Sequence, residues 1–168
     1  LEIFLHGIKN VQPKTILSNY IFTKNDQIVV KYKSKTVAYK KINKVFIICV
    51  GKASTDMAIT VKKILSKSKL KISKGIVVVN KENFKRIPGF DCFFSGHPIP
   101  NKNGLKASEF IKEYLKNSTR NDLVLIFVSG GGSALLPLPV EDINLDEKIE
   151  INKLLINSGA NIKEINTV

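Results

Sequence analysis

The chain has 168 residues, 43% of them hydrophobic and 24% charged, so it is long and apolar enough to bury one core but not comfortably two. This composition excludes a disordered chain, and the longest apolar runs, residues 45–50 and 123–128, are far shorter than the roughly 20 residues that span a bilayer. Two cysteines, Cys49 and Cys92, cannot build a disulfide framework or a CxxC metal pair. We therefore expect a soluble, cytoplasmic protein with no membrane partner.

The formal net charge of +13 suggests a phosphate-bearing partner. Arginine, which makes bidentate contacts with phosphates and guanine, occurs only at Arg86 and Arg120, and the remaining positive charge is lysine spread along the chain. The densest lysine cluster runs from Lys31 to Lys41, where a solvated strand face explains it. We expect no nucleic-acid partner, and a non-catalytic basic module that binds nucleic acid stays an alternative.

The first forty residues predict two short helices, at residues 2–10 and 14–22, followed by a basic hairpin at residues 27–33 and 36–40. From Val45 onward, apolar runs alternate with amphipathic segments, the order typical of parallel strands joined by crossover helices. Strands are predicted at residues 45–50, 75–79, 91–95 and 123–128, and helices at 53–66 and 103–117. The expected fold class is α/β: a three-layer α/β/α, Rossmann-like domain with a mostly parallel sheet. The strand at 123–128 lacks polar alternation, so we expect it to be covered on both faces.

The end of the sequence predicts more helix. Asn144 and Glu147 form a capping-box pattern before a helix that begins near Leu145, and Asn161 with Glu164 repeats that start signal. The sequence stops inside this last helix and opens on Leu1 rather than on a methionine. We therefore predict that residues 1–168 are a piece of a longer protein.

A glycine loop directly follows the strand at 123–128. Its residues are Ser129, Gly130, Gly131, Gly132 and Ser133. Glycines let successive backbone N–H groups point at one anion, and the loop is expected at the carboxyl end of a parallel strand, where open α/β sheets bind ligands. The loop therefore predicts phosphate or carboxylate binding, with a flexible surface turn as the alternative. A dinucleotide fingerprint is excluded because Leu135 stands where its third glycine would be.

A second junction, Gly51-Lys52-Ala53-Ser54, lies between the strand at 45–50 and the helix that follows it. It is not a Walker loop, because Phe46 and Ala53 occupy the positions of the first glycine and of the magnesium-binding hydroxyl. From the residues alone, Lys52 is equally well a phosphate-binding ammonium or a surface lysine.

His97 stands in a turn whose backbone is restricted by Pro98 and Pro100. Such a histidine can donate to an anionic substrate or transfer a proton, although a structural role is the more common one. No acid–histidine pair can be tied to Ser129 or Ser133, and no cluster of metal ligands is present. We therefore predict no protein-held metal site.

Six segments, in this order, resemble the glycerate 2-kinase family, whose members were formerly labelled putative hydroxypyruvate reductases and carry a C-terminal MOFRL domain. The segments are Val50-Gly51-Lys52-Ala53 with Met57-Ala58; Gly75-Ile76-Val77-Val78-Val79 with Lys81; Gly96-His97-Pro98-Ile99-Pro100 with Gly104-Leu105; Asp122-Leu123-Val124-Leu125; Ser129-Gly130-Gly131-Gly132-Ser133-Ala134-Leu135-Leu136; and Ser158-Gly159-Ala160 with Glu164-Ile165-Asn166-Thr167-Val168. Each segment is weak alone, but their shared order is specific.

The resemblance implies that the longer protein transfers a phosphoryl group from ATP, with magnesium, to D-glycerate, giving 2-phosphoglycerate and ADP. It implies two α/β domains with the active site between them, of which residues 1–168 would be most of the N-terminal one, inactive alone; a homodimer is also considered. By position, Lys52 is the expected catalytic lysine and residues 129–133 the phosphate cradle, with His97 and Asn166 near the substrate.

The chain departs from the family pattern after Lys81, where Glu82-Asn83-Phe84 replaces an aromatic residue followed by Gly-His. Phe94-Ser95 likewise replaces an acidic residue and alanine before the Gly-His-Pro turn. The remaining enzyme alternative, an NAD(P)-dependent hydroxypyruvate reductase, needs a nicotinamide site, and the sequence shows none.

Overall fold

The computed structural model describes residues 1–165 and 167. The strands are β1 (Ile21–Lys24), β2 (Gln27–Tyr32), β3 (Lys35–Tyr39), β4 (Val45–Val50), β5 (Gly75–Asn80), β6 (Phe90–Ser95) and β7 (Leu123–Val128). The helices are α1 (Glu2–Val11), α2 (Pro13–Tyr20), α3 (Ser54–Leu65), α4 (Lys102–Leu115), α5 (Gly132–Leu135), α6 (Leu145–Asn157) and α7 (Ile162–Ile165), with a 3₁₀ turn at Lys81–Asn83. Within this described part, no helix is both long and apolar enough to cross a membrane.

The main sheet has four parallel strands in the order β6-β5-β4-β7. The chain enters this sheet at the inner strand β4 and continues outward through β5 to β6. It then returns to the other side of β4 and forms β7. The strand order therefore reverses between β4 and β7. A separate antiparallel sheet, β1-β2-β3, holds the basic hairpin.

Helices cover both faces of the main sheet. Side chains along β4 point alternately to the two faces, and both sets are apolar and buried, so each face needs a cover. Val45, Ile47 and Cys49 belong to a core shared with α2, α3 and the start of the small sheet. Ile48 and Val50 point the other way, into a second core formed with α4 and α5. The predicted three-layer α/β/α fold with a parallel sheet is confirmed.

The expectation that both faces of β7 are covered is wrong. Ile126 and Val128, on one face of this strand, are 58% and 65% exposed. The strand order places β7 at the edge of the sheet, and α4 and α5 pack over β5 and β6 instead. Strands β4 and β5 are the ones buried almost throughout.

The second predicted helix is too long by two residues. Helix α2 ends at Tyr20, and Ile21 already pairs with Val30 as the first residue pair of β1 and β2. Ile21 is buried in the core beside Leu17, so packing against β2 ends the helix where the apolar pattern alone would have continued it.

Candidate active site

Four loops leave the carboxyl edge of the parallel sheet side by side. Lys52 follows β4, Lys81–Asn83 follows β5, His97 follows β6 and the glycine loop follows β7. Ligands of open α/β sheets bind outside this edge, at the point where the strand order reverses. Here that point lies between Lys52 and the glycine loop.

The two loops at the reversal point touch each other directly. Gly51 has a φ of +117°, and a Cβ atom built on it would lie 2.2 Å from Ser129 Oγ. The Lys52 N–H donates to Gly130 O at 3.0 Å, and the Ala53 N–H donates to Ser129 Oγ at 3.0 Å. These contacts join the start of α3 to the glycine loop as one unit.

Ser129 serves as the link between these loops. Its hydroxyl accepts from Ala53 N–H and lies 3.4 Å from Val50 O, to which it donates. Because its only proton is donated to Val50 O, the Ser129 hydroxyl has none left to donate to an anion. Ser133, at the other end of the loop, is exposed.

Gly131 is where the predicted site residues meet. Its φ is +91°, and a Cβ atom there would lie 2.8 Å from His97 Cδ2 and 3.4 Å from Lys52 Cε. The aliphatic end of Lys52 and the imidazole of His97 therefore both lie over this glycine. Lys52 is exposed and His97 half-buried, so both side chains remain open to a ligand.

The backbone beside Gly131 offers several donors. Helix α5 begins directly after this residue, and its first backbone bonds are Leu135 N–H to Gly131 O and Leu136 N–H to Gly132 O. No hydrogen bond between loops in the described residues uses the N–H of Gly131, Gly132 or Ser133. A set of free N–H groups next to a lysine ammonium is suited to phosphate oxygens.

The loop after β5 contributes residues that the sequence analysis did not assign. The Asn83 side chain donates to Lys52 O at 3.1 Å and to Asn80 Oδ1 at 3.0 Å, and Thr55 Oγ1 donates to Asn83 O at 2.9 Å. These bonds hold the backbone of Lys52 from the side opposite the glycine loop. An asparagine just past the end of a parallel strand was the available signal.

Glu82 is the acidic residue of this loop. Its pKa lies below the ordinary value because its own backbone N–H and the Asn80 amide donate to the carboxylate, with smaller effects from Lys81 and His97. In the described residues, no group of three or more His, Cys, Asp or Glu side chains is arranged to hold a metal ion. Glu82 is therefore an ionised carboxylate at this edge of the sheet at neutral pH.

The structure brings together Lys52, residues 129–133 and His97, as the resemblance implied. Asn166, the remaining predicted substrate residue, lies outside the described residues. The roles assigned to all of these residues stay predictions, because the geometry establishes their proximity and not their chemistry.

Comparison with known proteins agrees with the resemblance. The family profile described as "Domain of unknown function (DUF4147)" matches residues 1–168. A D-glycerate 2-kinase of Thermotoga maritima is 37% identical over 80% of this chain and 32% of its own length. A glycerate 2-kinase of Pyrococcus horikoshii is 33% identical over 100% of this chain and 36% of its own. The chain thus spans about a third of the length of these relatives.

Two crystal structures share the fold. A Pyrococcus horikoshii protein superposes with a TM-score of 0.83 at 33% identity, and a glycerate kinase of Thermotoga maritima with 0.77 at 32% identity. Each comparison covers 99% of this chain and 36% of the other. The family profile matches all 168 residues and both superpositions cover 99% of them, so the chain belongs to the family described as "Domain of unknown function (DUF4147)".

Proposed function

We propose that this chain is the N-terminal, phosphate-handling domain of a glycerate 2-kinase that transfers a phosphoryl group from ATP to D-glycerate. The observation that carries the proposal is the meeting of Lys52 and His97 over Gly131, beside free backbone N–H groups and at the reversal point of the strand order. The names of the relatives support the substrate class.

In the proposed reaction, the 2-hydroxyl oxygen of D-glycerate forms a bond to the γ-phosphorus while the bond from that phosphorus to the bridging oxygen of ADP breaks. The N–H groups of Gly131, Gly132 and Ser133 bind phosphate oxygens. The Lys52 ammonium neutralises charge on the transferring group. Positioning and positive charge contribute most to phosphoryl transfer, so this donor set matches the reaction.

His97 lies on the β6 side of the same glycine and is proposed to meet the acceptor. An imidazole there either donates to the glycerate carboxylate or receives the hydroxyl proton. Asn83 and Ser129 are proposed to position rather than react, because their side chains bond to the main chain of the Lys52 turn.

The proposed reaction needs Mg²⁺, and residues 1–165 and 167 include no group of three or more His, Cys, Asp or Glu side chains that could hold it. Glu82 is one carboxylate, and Mg²⁺ in kinases is usually held by one or two carboxylates together with substrate phosphates. We therefore expect magnesium to enter with ATP.

The alternatives have no support from the comparisons: neither a hydroxypyruvate reductase nor a nucleic-acid-binding module appears among the named relatives described above. The cytoplasm remains the proposed compartment, since Cys49 and Cys92 are free thiols. A homodimer remains a prediction.

The test is a coupled assay on the full-length protein with ATP, Mg²⁺ and D-glycerate, using enolase to detect 2-phosphoglycerate. Enolase accepts the 2-phosphate and not the 3-phosphate, so a signal also identifies the acceptor oxygen. We expect ATP- and glycerate-dependent turnover, and none from residues 1–168 alone. NADH oxidation with hydroxypyruvate and no phosphorylated product would overturn the proposal.

A further inference from the structure

A cavity of about 600 Å³ opens at the amino end of the parallel sheet, away from the four loops of the candidate active site. Three segments form its walls: the β1–β2 turn, the link from β3 to β4, and residues 69–71 ahead of β5. The Val45 N–H donates to Lys71 O at 2.9 Å, which fixes one wall to the first residue of β4.

The β1–β2 turn is held in place against the opposite wall. Asn25 and Asp26 have φ values of +49° and +55°, as a two-residue hairpin turn requires, and Lys24 pairs with Gln27 on either side of them. Asp26 Oδ1 then accepts the Lys69 N–H at 2.8 Å. A specific hydrogen bond therefore joins two walls of the cavity that are distant in sequence.

The lining is strongly basic. Lys40 and Lys41 come from one wall and Lys69 and Lys71 from another, against the single carboxylate of Asp26. That carboxylate is engaged with a backbone N–H, and none of the four lysines takes part in the salt bridges found in the described residues. Within the part of the chain that the structure describes, no salt bridge therefore neutralises these four lysines.

We propose that this cavity is a second anion-binding site, for a small molecule that carries a di- or triphosphate group. Its volume falls within the range of roughly 300–1,000 Å³ that is typical of small-molecule sites. Lysines from two of its walls line the cavity, and several positive charges suit a ligand with several charged oxygens better than a single phosphate. Asn25 and Gln27, whose side chains carry neutral donors, line it as well. The proposal does not depend on the kinase reaction.

The experiment is a titration of the full-length protein with inorganic pyrophosphate at about 0.15 M ionic strength, where fields from distant charges are largely screened. Calorimetry gives the affinity, and hydrogen–deuterium exchange locates the site. We expect added protection in peptides that contain residues 25–27, 40–43 and 69–71. Protection confined to residues 129–133 would overturn the proposal.

A triple variant, Lys40→Gln, Lys69→Gln and Lys71→Gln, tests whether pyrophosphate binds at the cavity itself or is attracted by the net positive charge of the whole protein. Lys41 is left in place because its φ is +55°. Removing three ligand contacts is expected to weaken pyrophosphate binding at the cavity by at least about tenfold. The matched control, Lys35→Gln, Lys106→Gln and Lys112→Gln, removes the same charge from exposed positions outside the cavity and is expected to change affinity less than about twofold. Equal weakening by both variants contradicts the proposal.

Discussion

The two ends of the parallel sheet present positive charge in different ways. At the carboxyl end Lys52 lies over the glycine loop, where a Cβ atom on Gly51 would collide with Ser129 and one on Gly131 with the His97 ring. At the amino end four lysines line an open cavity on flexible side chains. Close contacts between loops therefore fix the geometry at the carboxyl end, whereas the four lysines at the amino end supply electrostatic attraction alone. We therefore expect group transfer at the carboxyl end only.

Removing the charge of Lys52 has the largest expected effect. In the full-length protein, Lys52→Ala should lower kcat by about 10²- to 10³-fold, the loss typical when one preorganised donor to a transition state is removed. The thermal midpoint should hardly change, because the side chain is exposed. Lys63→Ala, which changes an exposed lysine on α3, is the control and should retain activity. Equal activity of both variants would show that Lys52 is a surface lysine with no part in phosphoryl transfer.

The close approach at the carboxyl end is tested by Gly51→Ala. The new Cβ atom would meet Ser129 Oγ at 2.2 Å and Ser129 O at 2.6 Å, at a φ of +117°. We expect a loss of about 2–4 kcal/mol in the free energy of unfolding, measured with urea. Gly7→Ala is the matched control: it lies in α1 with nothing within 4 Å and should gain about 0.5–1 kcal/mol. An unchanged stability of Gly51→Ala contradicts the close contact.

The phosphate cradle is tested by Gly131→Val. A side chain there would collide with the His97 ring and crowd Lys52, so ATP affinity should fall by about tenfold to a hundredfold. Gly130→Ala adds a Cβ atom with nothing within 4 Å, so its ATP affinity should fall much less. Calorimetry with a non-hydrolysable ATP analogue measures both variants, and an unaltered affinity for Gly131→Val would exclude the cradle.

Asn83→Ala tests whether the loop after β5 positions Lys52. Loss of the hydrogen bond to Lys52 O costs about 1 kcal/mol, so kcat should fall by roughly three- to tenfold with little change in the KM for ATP. Asn157→Ala, at the exposed end of α6, serves as the control and should match the unmodified protein. A change in KM alone would indicate substrate contact instead of positioning.

The smallest expected effect concerns the thiol inside β4, the strand that joins the two ends. Burial raises the pKa of Cys49 to about 12, so its thiol stays protonated at neutral pH and is unreactive. Cys92 is half-buried. A disulfide exchange reagent at pH 8 should therefore modify Cys92 first and Cys49 only on unfolding. Rapid modification of Cys49 in the folded protein would mean that β4 is accessible.

Much of the parallel sheet could be predicted from local pattern, because strands β4 and β7 begin and end where the apolar runs at residues 45–50 and 123–128 begin and end. The position of a strand in the sheet could not. Strands β4 and β7 have equally apolar sequences, yet β4 is central and β7 is an edge strand with Ile126 exposed. Strand order depends on the path of the crossover connections, and the apolar pattern within one strand does not show where that strand lies in the sheet.

The candidate site divides in the same way. Lys52, His97 and the glycine loop stand at strand ends, so topology alone brings them to one edge. The use of the Ser129 hydroxyl as a link to Ala53, and of the Asn83 amide as a donor to Lys52 O, depends on tertiary contacts between loops. An asparagine after a strand marks Asn83 as a candidate, but the main-chain atom that its side chain bonds cannot be read from sequence spacing.

The most direct test of the central claim is a crystal structure of the full-length protein with a non-hydrolysable ATP analogue. We expect phosphate oxygens at about 3 Å from the N–H groups of Gly131, Gly132 and Ser133, with the Lys52 ammonium in contact with the γ-phosphate. A triphosphate bound elsewhere, with Lys52 and the glycine loop free of it, would contradict the proposed function.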